Sequence, residues 1–272
     1  MGDGGKEGEK EIGMERGRRK ESLKVALMNA QSIVNKINEL RAMVVIMKPD
    51  VIAVTETWAN DAIGDALLTI DEYEMVARHD RNDTEGGRGG GILVYAEKSI
   101  CAWQIDNDTS FNQLVSVKIK NGCEDFILSV IYRSPNSSRV NDEALCNWMN
   151  RLSGTNLLIG DFNYPDIDWE NGISGSRGRT FYETTADLYM EQHVLEATHV
   201  SGNTLDLILS NREGLVRAVK SDGRIGKSDH DVITFEVMAF QKKVTEQIAG
   251  LNYRRANYTE MRATLEGETG KE

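Results

Sequence analysis

The sequence predicts a protein of the α/β class, and three stretches of the chain lead to this prediction. Residues 23–58 have the pattern strand, helix, strand, which is that of a parallel crossover unit. Residues 113–132 contain two alternating apolar segments on either side of Asn121-Gly122, which predicts a β-hairpin. The apolar run 157–159 is followed by glycine, which is typical of a short buried strand.

Composition, charge and cysteine content exclude several classes of function. The 272 residues are 40% hydrophobic, without a signal-peptide core or an apolar run near the ~18 residues of a membrane span. Cys101, Cys123 and Cys146 are far apart and odd in number, which fits neither a disulfide framework nor a zinc site. The net charge of −11 is unfavourable to broad electrostatic contact with nucleic acid. A nucleic-acid function would therefore need a local basic rim or metal ions.

Both ends of the chain lack the pattern of a folded core. Residues 1–21 are rich in glycine and in charges of both signs, and we expect them to be disordered. Residues 241–272 are charged and weakly helical, and they carry no site signal. The folded domain is therefore expected over residues 22–240.

The crossover unit is expected to begin with a strand at residues 23–31 and to end with a strand at residues 50–58. Ser32 is the expected N-cap of the helix between them, and Pro49 follows its end. The apolar residues at helical spacing are Ile33, Ile37, Leu40 and Val44. A parallel crossover brings Asn29 and Glu56 to the same edge of the sheet, where open α/β sheets bind ligands.

The middle of the chain is expected to be mostly strand. Residues 86–91 (GGRGGG) precede a strand at 92–95, whereas a phosphate-binding loop would precede a helix. We interpret this stretch as a flexible loop that leads into an edge strand. The hairpin strands are expected at 113–119 and 126–132, and Pro135 prevents further pairing in the loop after Tyr132.

The second half of the domain is expected to contain helices and strands in turn. One amphipathic helix is predicted from Leu145, Trp148, Met149 and Leu152, and another over residues 179–194. A strand is predicted at 204–210 with Asp206 inside it. The last strand, at 232–237, follows the polar segment 228–231.

The segment GDFN supplies the first candidate site residues. Residues two apart on a strand point to the same face, so Asp161 and Asn163 can lie side by side at a sheet edge. Gly160 allows a ligand or another backbone to approach closely. Asp and Asn after a strand are also common turn formers, and on these residues alone the turn and the site are about equally favoured.

Polar residues accumulate at the ends of the predicted strands. They are Asn29, Glu56, Tyr132, Asp161, Asn163, Asp229 and His230, with Asp206 inside a strand. Taken singly, Glu56 fits a strand-end cap, Asp206 a structural acid and His230 a loop histidine. A carboxylate in an apolar strand is costly unless it is paired, and histidine is a suitable partner. The number and placement of these residues favour a site.

The chemistry of this set favours metal-assisted phosphoester hydrolysis. Glu56 and Asp161 offer the hard oxygen ligands that Mg²⁺ or Mn²⁺ prefers. Asn29 and Asn163 can orient water and phosphate without adding charge. His230, held by Asp206, would be a positioned cation opposite the developing negative charge. A covalent hydrolase is not indicated, because the chain has no GxSxG motif and no convincing cysteine nucleophile.

Six segments carry these residues in a recognisable order: ALMNAQS with Asn29, VTETW with Glu56, VIYRSPN with Tyr132, GDFN with Asp161 and Asn163, TLDLIL with Asp206, and SDHD with Asp229 and His230. Over roughly residues 23–240 this order resembles the endonuclease/exonuclease/phosphatase superfamily. The resemblance implies a four-layer α/β sandwich, in which two packed mixed β-sheets are flanked by helices. It also implies one divalent metal site.

The resemblance further implies a role for each candidate residue. Glu56 would be a metal ligand with Asn29 near it, and Asp229 would support the metal or the histidine. Asp161 would activate or orient the attacking water, and His230, paired with Asp206, would stabilise the transition state. Asn163 and Tyr132 would contact the phosphate. The predicted substrate contacts are Asn29, Arg133, Asn136 and Ser228.

Within the superfamily, the chain looks most like the endonuclease domain of non-LTR retrotransposons. The segments that carry this likeness are NAQSIVNKINEL, TETW, YRSPN, GDFNYPDIDW and NTLDLILSN. It implies a DNA nickase that is nuclear if it acts on chromosomal DNA. The segment LNYRRANYTEMR resembles the linker that follows this domain, yet the chain ends at Glu272 without a reverse transcriptase. We therefore expect a fragment, a truncated element or a domesticated copy, acting as an intracellular monomer without a membrane partner.

Two alternatives remain open. The same fold could hydrolyse a small phosphoester such as an inositol phosphate or sphingomyelin, or it could be a non-catalytic binding module. The acidic balance is unusual for a DNA nickase. Arginines in predicted loops could supply a local phosphate rim, although each one singly is as well explained as a solvated side chain; they are Arg78, Arg81, Arg88, Arg133, Arg139, Arg177 and Arg179.

Overall fold

The computed structural model describes residues 21–80, 89–122 and 124–238. Residues 1–20 of the tail expected at 1–21, the C-terminal segment 241–272, Cys123, Arg81 and Arg88 lie outside these ranges. The strands are β1 (Ser22–Asn29), β2 (Val51–Thr55), β3 (Tyr73–His79), β4 (Ile92–Glu97), β5 (Ala102–Ile105), β6 (Leu114–Asn121), β7 (Glu124–Tyr132), β8 (Asn156–Asp161), β9 (Ile167–Asp168), β10 (Ile173–Ser174), β11 (Glu191–Gln192), β12 (Asp206–Ser210), β13 (Val216–Ser221) and β14 (Ile233–Met238). The helices are α1 (Ile37–Met47), α2 (Asp65–Leu68), α3 (Arg139–Met149) and α4 (Arg179–Asp187).

Twelve of these strands form two six-stranded sheets, whereas β9 and β10 pair separately. The first sheet has the order β13-β14-β1-β2-β4-β3 and the second the order β11-β12-β8-β7-β6-β5. Each sheet contains one parallel pair at its centre, β1 with β2 and β7 with β8. Helices α1 and α3 make the two crossovers, and the other pairs in both sheets are antiparallel. The predicted crossover unit and the predicted hairpin of β6 and β7 are confirmed.

Three clusters of buried apolar residues define the layers. The central cluster joins the inner faces of the two sheets and includes Leu27 and Ile159. An outer cluster packs α1, through Leu40, against the first sheet. A third packs α3 and α4 against the second sheet and includes Leu145 and Phe181. Alternate residues of each strand point to opposite faces, so both sheets are apolar on both sides. The result is the four-layer α/β sandwich that the resemblance implied.

The first helix begins later than its apolar spacing predicts. It starts at Ile37, after an N-cap Lys36 that makes no side-chain capping bond. Ser32 is therefore not the N-cap: its φ is 79° and its backbone N–H donates to the carbonyl of Glu56 at 2.9 Å. Ile33 is buried although it precedes the helix. Loop bonds to the segment after β2 thus replace the first predicted turn and hold both segments against each other.

The remaining differences concern the edges of the sheets. The helix predicted over residues 179–194 ends at Asp187, and residues 191–192 pair with β12 as the edge strand β11. The strand at 92–97 is not an edge strand, because β3 lies outside it. Strands β3, β5 and β13 were not predicted. None of the helices within the described ranges has the length and hydrophobicity needed to cross a membrane.

Gly160 permits the close approach of a neighbouring strand rather than of a ligand. Its φ is 139°, and a Cβ at this position would lie 1.9 Å from the carbonyl oxygen of Ile131 on β7. We expect Gly160→Ala to lower the free energy of unfolding by about 3 kcal/mol or more, because strain and overlap add. Urea denaturation would measure this loss.

Gly154→Ala is the matched control for Gly160→Ala. Gly154 also has a positive φ, 74°, but a Cβ there would meet no atom within 4 Å. The loss of stability in Gly154→Ala should therefore come from backbone strain alone. Equal losses of stability in the two variants would contradict the account of Gly160.

Candidate active site

The site lies where the carboxyl ends of the parallel strands of the two sheets meet. Asn29 ends β1 and Asp161 ends β8. The amide Nδ2 of Asn29 donates to Oδ2 of Asp161 at 2.9 Å, which links one sheet to the other. In the second sheet, Tyr132 and Asp206 are the direct register partners of Asp161 on either side. The predicted strand-end residues are thus brought together by the topology.

Asp161 is a fully buried carboxylate with several donors around it. It accepts from Asn29, from the side chain of Asn163 at 3.0 Å and from the backbone N–H of Asn163 at 3.1 Å. Burial, followed by the charge of Asp206, raises the pKa of Asp161 well above its usual value. Asn163 has a φ of 52°, so GDFN is both a turn and part of the cluster. The two interpretations of this segment do not exclude each other.

His230 forms a buried pair with Asp206. The Nδ1 atom of His230 lies 2.7 Å from Oδ2 of Asp206, as the pairing prediction requires. Its Nε2 atom lies 3.9 Å from Oδ2 of Asp161 and 3.7 Å from Oδ1 of Asp229. Burial by itself lowers the pKa of His230, but the hydrogen bond and charge of Asp206 and the charges of Asp161 and Asp229 raise it to about 9. The imidazole is therefore a cation at neutral pH.

Glu56 is oriented by two aromatic donors. It follows β2 with a φ of 49°, and its Oε2 atom accepts from the indole Nε1 of Trp58 at 3.0 Å. The hydroxyl of Tyr132 donates to the same carboxylate. Burial and then the charge of Glu56 raise the pKa of Tyr132, so this phenol is neutral. The side chains of Glu56 and Tyr132 are thus held next to each other in the site.

The acidic side chains fit a divalent cation. Oδ1 of Asp229 is buried and has no hydrogen-bond partner among the residues that the structure describes. Burial lowers the pKa of Lys36 overall, and the charges of Glu39, Asp229 and Glu56 act in the opposite direction, so the carboxylates of Asp229 and Glu56 both act on the Lys36 ammonium. Hard oxygen donors and an unpaired carboxylate oxygen are what Mg²⁺ or Mn²⁺ requires.

Two groups of three acidic or imidazole side chains have ligand atoms within 4.8 Å of one another in the described ranges. One is Asp161, Asp206 and His230, and the other is His199, Asp229 and His230. Glu56 belongs to neither group, so its role as a metal ligand stays a prediction. The Nδ2 atom of Asn29 donates to Asp161, and its Oδ1 atom accepts from the backbone N–H of Gln31 at 3.2 Å. Its role toward a metal or substrate also stays a prediction.

The structure corrects the role predicted for Arg133. Its side chain is fully buried, and both Nε and Nη2 lie 2.8 Å from the carboxylate oxygens of Asp142. Its Nη1 donates to the carbonyl of Asn163 at 2.8 Å, and the guanidinium lies 3.8 Å from the ring centroid of Tyr164. A cation with all these partners is not available to a substrate phosphate. Arg133 instead supports the turn that carries Asn163.

Among the described residues, some arginines of the expected rim are engaged in ion pairs with neighbouring acids. Arg78 lies within strand β3 and donates to Asp65 and Asp80, and Arg139 pairs with its exposed neighbour Glu143. Asn136 lies in an exposed loop, where a substrate can reach it. Ser228 is buried: its hydroxyl donates to the carbonyl of Asn29 at 2.7 Å and accepts from the N–H of His230 at 3.2 Å. Ser228 therefore links Asn29 to His230 and stabilises the cluster.

Three residues of the site were missed by sequence reasoning. Trp58 binds Glu56, and His199 contacts both Asp229 and His230. The hydroxyl of Thr198 accepts from the backbone of Leu205 and Asp206 at 3.1 and 3.0 Å. Trp58 stands in the motif TETW and could have been considered. Thr198 and His199 precede the strand by several residues and show no periodic pattern, so nothing in the sequence drew attention to them.

Several solved structures have the same fold as this chain. The endonuclease domain of TRAS1, a telomere-specific non-LTR retrotransposon, matches with a TM-score of 0.63 and 13% identity, covering 81% of this chain and all of that domain. An AP endonuclease from Leishmania major matches with a TM-score of 0.65 and 14% identity, over 81% of this chain and 89% of that one. A 3′-5′ exonuclease from Neisseria meningitidis matches with a TM-score of 0.61 and 16% identity, over 79% and 100%.

No curated protein sequence matches the chain. The sequence profile of the Endonuclease/Exonuclease/phosphatase family, however, matches residues 26–230, a span that begins just before Asn29 and ends at His230. This span contains every strand-end residue that the structure assembles into the cluster. The chain belongs to the Endonuclease/Exonuclease/phosphatase family.

Proposed function

We propose that this protein is a divalent-metal-dependent DNA endonuclease that nicks one strand and leaves a 3′-hydroxyl. The observation that carries the proposal is the buried cluster of Asp161, Asp206 and His230, in which Nε2 of a cationic imidazole lies 3.9 Å from a carboxylate of raised pKa. A base and a cation so placed can act together on one phosphodiester. The fold similarity to the TRAS1 endonuclease domain supports DNA as the substrate.

Each residue of the cluster has a separate role in the proposed hydrolysis. Asp161 orients the attacking water and accepts its proton, since a carboxylate of raised pKa is a stronger base than a solvated one. The Nε2–H of His230 stabilises the negative charge that develops on the phosphate, and Asp206 keeps the imidazole protonated and aligned. The second Nδ2–H of Asn163, beyond the one that Asp161 accepts, is a donor for a phosphate oxygen, and the single O–H of the neutral Tyr132 would turn from Glu56 to the phosphate when substrate binds.

Glu56 and Asp229 would hold the divalent cation. When bound, such an ion supplies Lewis-acid polarisation of a phosphoryl oxygen and stabilisation of the leaving alkoxide. Trp58 and Tyr132 orient the carboxylate of Glu56 for this task, and Oδ1 of Asp229 accepts no hydrogen bond from the described residues, its nearest charged neighbour being Nε2 of His230 at 3.7 Å.

Supercoiled plasmid is the substrate that tests this proposal. Incubation with Mg²⁺ should give nicked circles whose ends a DNA polymerase can extend without prior treatment, because a 3′-hydroxyl is left. Chelation of the ion should stop the reaction. Nicks that need removal of a 3′-phosphate before extension would contradict the proposed direction of bond cleavage.

A small phosphoester is the second candidate substrate. The net charge of −11 is unfavourable to broad contact with a DNA backbone, and the ion pairs of Arg78 and Arg133 take up two of the arginines that could offset it. Release of phosphate from inositol phosphates, or of the headgroup from sphingomyelin, without nicking of plasmid would favour this candidate. A protein that binds Mg²⁺ and turns over neither class would be a binding module.

The rate of hydrolysis is expected to fall as the pH rises through about 9. His230 has its pKa raised to about 9, so the imidazolium is present below this pH and is lost above it. On the acidic side, activity should increase with increasing pH as Asp161 loses its proton. The two limbs together give a bell-shaped profile. Single-turnover rates at saturating Mg²⁺ between pH 5 and pH 10 would show both limbs. A rate that keeps rising between pH 9 and pH 10 would contradict the role of His230 as a cation.

A further inference from the structure

We propose that His199 is a positioning residue that fixes the carboxylate of Asp229 with one oxygen turned toward the divalent cation. Nε2 of His199 lies 3.2 Å from Oδ2 of Asp229. The two side chains come from different segments, the loop before β12 and the loop before β14. The inference deepens the proposed function, since it concerns the cation of the same site, but its main readout is cation binding and does not need nuclease activity.

The backbone sets the tautomer of His199. The N–H of Ser201 donates to Nδ1 of His199 at 3.1 Å, so Nδ1 is the unprotonated acceptor of the ring. In the neutral imidazole the proton then sits on Nε2, which faces Oδ2 of Asp229. His199 is thereby held as a donor toward that single oxygen. The hydroxyl of Ser201, 2.7 Å from Nδ1, can donate to the same acceptor.

The two oxygens of Asp229 are therefore not equivalent. Oδ2 receives the imidazole of His199, whereas Oδ1 is buried and lacks any hydrogen-bond partner in the described part of the chain. Oδ1 lies 3.7 Å from Nε2 of His230, on the side of the catalytic cluster. A carboxylate with one oxygen held by a histidine and the other free of hydrogen bonds is arranged to offer the second oxygen to a cation.

The surrounding backbone leaves His199 and Asp229 little freedom to separate. The N–H of Val200 donates to the carbonyl of Asp229 at 3.0 Å, and the N–H of Asp231 donates to the carbonyl of Thr198 at 2.8 Å. The ring of His199 also meets that of His230 edge to face, with centroids 4.7 Å apart. The two backbone hydrogen bonds do not depend on the side chain of His199. They place this residue against both Asp229 and His230.

Removal of the Nε2–H donor should weaken cation binding more than it slows the chemical step. In His199→Phe an aromatic ring is kept and the Nε2–H donor is lost, so the carboxylate of Asp229 is held less firmly and Oδ1 is less well fixed, with the side chain of Gln31 as the carboxylate's remaining hydrogen-bond partner. In His199→Gln a side-chain amide can again donate to Asp229. His193→Gln is the matched control, because His193 contacts the hydroxyl of Ser210 and not the cluster.

Titration of the full-length protein with Mn²⁺, followed by the electron paramagnetic resonance of the free ion, tests the proposal. We expect His199→Phe to weaken Mn²⁺ binding by about 10-fold or more, which is the scale for loss of an outer-sphere partner. His199→Gln should recover most of this loss, and His193→Gln should bind as the wild type does. In nicking assays, the half-saturating Mg²⁺ concentration of His199→Phe should rise by the same factor, with a smaller change in the saturated rate.

Three outcomes would overturn the proposal. The first is equal Mn²⁺ affinity in the wild type and His199→Phe, the second is His199→Gln binding no better than His199→Phe, and the third is a wild-type protein that binds no Mn²⁺. The first two outcomes leave the proposed function intact, and the third would count against both proposals; failure of the proposed function alone is a wild-type protein that binds Mn²⁺ and cuts no DNA. The difference between the two His199 variants still decides the role of His199 in that case.

Discussion

Replacement of Asp161 by asparagine is expected to lower the rate of DNA nicking by about 10²- to 10⁴-fold, the range for loss of a general base. Asparagine has nearly the same shape but cannot accept the proton of the attacking water. Single-turnover nicking at saturating protein and Mg²⁺ would measure the loss without a contribution from product release. Asp168→Asn is the matched control, since Asp168 is an exposed acid of the same stretch whose carboxylate accepts from Asn171.

The same substitution should not destabilise the fold. Burial raises the pKa of Asp161 in the folded chain above its value of about 3.9 in the unfolded chain, so ionisation of this group opposes folding at neutral pH. Asparagine removes that cost but replaces one hydrogen-bond-accepting oxygen by an amide donor, so the two effects oppose each other and Asp161→Asn should unfold in urea at nearly the same concentration as the wild type. A variant that nicks at the wild-type rate, or one that is inactive because it is unfolded, would contradict this account of Asp161.

Replacement of His230 by glutamine is expected to reduce the nicking rate by about 10²- to 10³-fold, the range for loss of one charge-stabilising donor. Glutamine can still donate to Asp206 but carries no charge. The loss should therefore come from the missing cation next to the phosphate and not from a disrupted loop. Single-turnover nicking near pH 7, where His230 is protonated, is the appropriate measurement.

Asp206→Asn separates the charge of His230 from its position. Burial alone lowers the pKa of His230, and Asp206 is the principal group that raises it. Without the carboxylate the imidazole should lose its proton at lower pH, so the alkaline limb of the rate profile should move from about 9 toward neutrality. An alkaline limb that stays at the same pH in Asp206→Asn would show that another group is responsible for it.

The central strands and the site were predictable because both leave strong local signals. Strands β1, β2, β7, β8 and β12 are buried on both faces or nearly so, and they appear in the sequence as apolar runs. Their polar ends stand out against these runs. The topology then brings Asn29, Tyr132, Asp161 and Asp206 to one place, so their proximity could be predicted from the sequence, whereas their chemical roles stay a prediction.

The edge strands could not be predicted for the same physical reason. Strands β3 and β13 bury a single residue each, and β5 and β11 bury none. These four strands are the outer members of the two sheets. A strand with one neighbour and an exposed face needs no apolar alternation, so its sequence looks like a loop. The misplacement of the 92–97 strand at an edge follows directly from missing β3.

Arg133 shows how sequence reasoning about charge can fail. An arginine after a site tyrosine, in a loop with proline, resembles a phosphate contact. Its burial depends on Asp142, which lies on a helix nine residues later, and on Tyr164, which follows GDFN. Only the packing of α3 against the second sheet brings these partners together. His199 was missed for the converse reason, since its partner Asp229 lies thirty positions away in a different segment.

The most direct test of the central claim is a single comparison of nicking rates. Wild-type protein and Asp161→Asn, purified in parallel and used at equal concentration, are incubated with supercoiled plasmid and saturating Mg²⁺ under single-turnover conditions. The buried cluster around Asp161 predicts conversion to nicked circles by the wild type and a rate at least about 10²-fold lower in the variant. Equal rates in the two proteins, or no nicking by either, would contradict the assignment of this cluster as the active site.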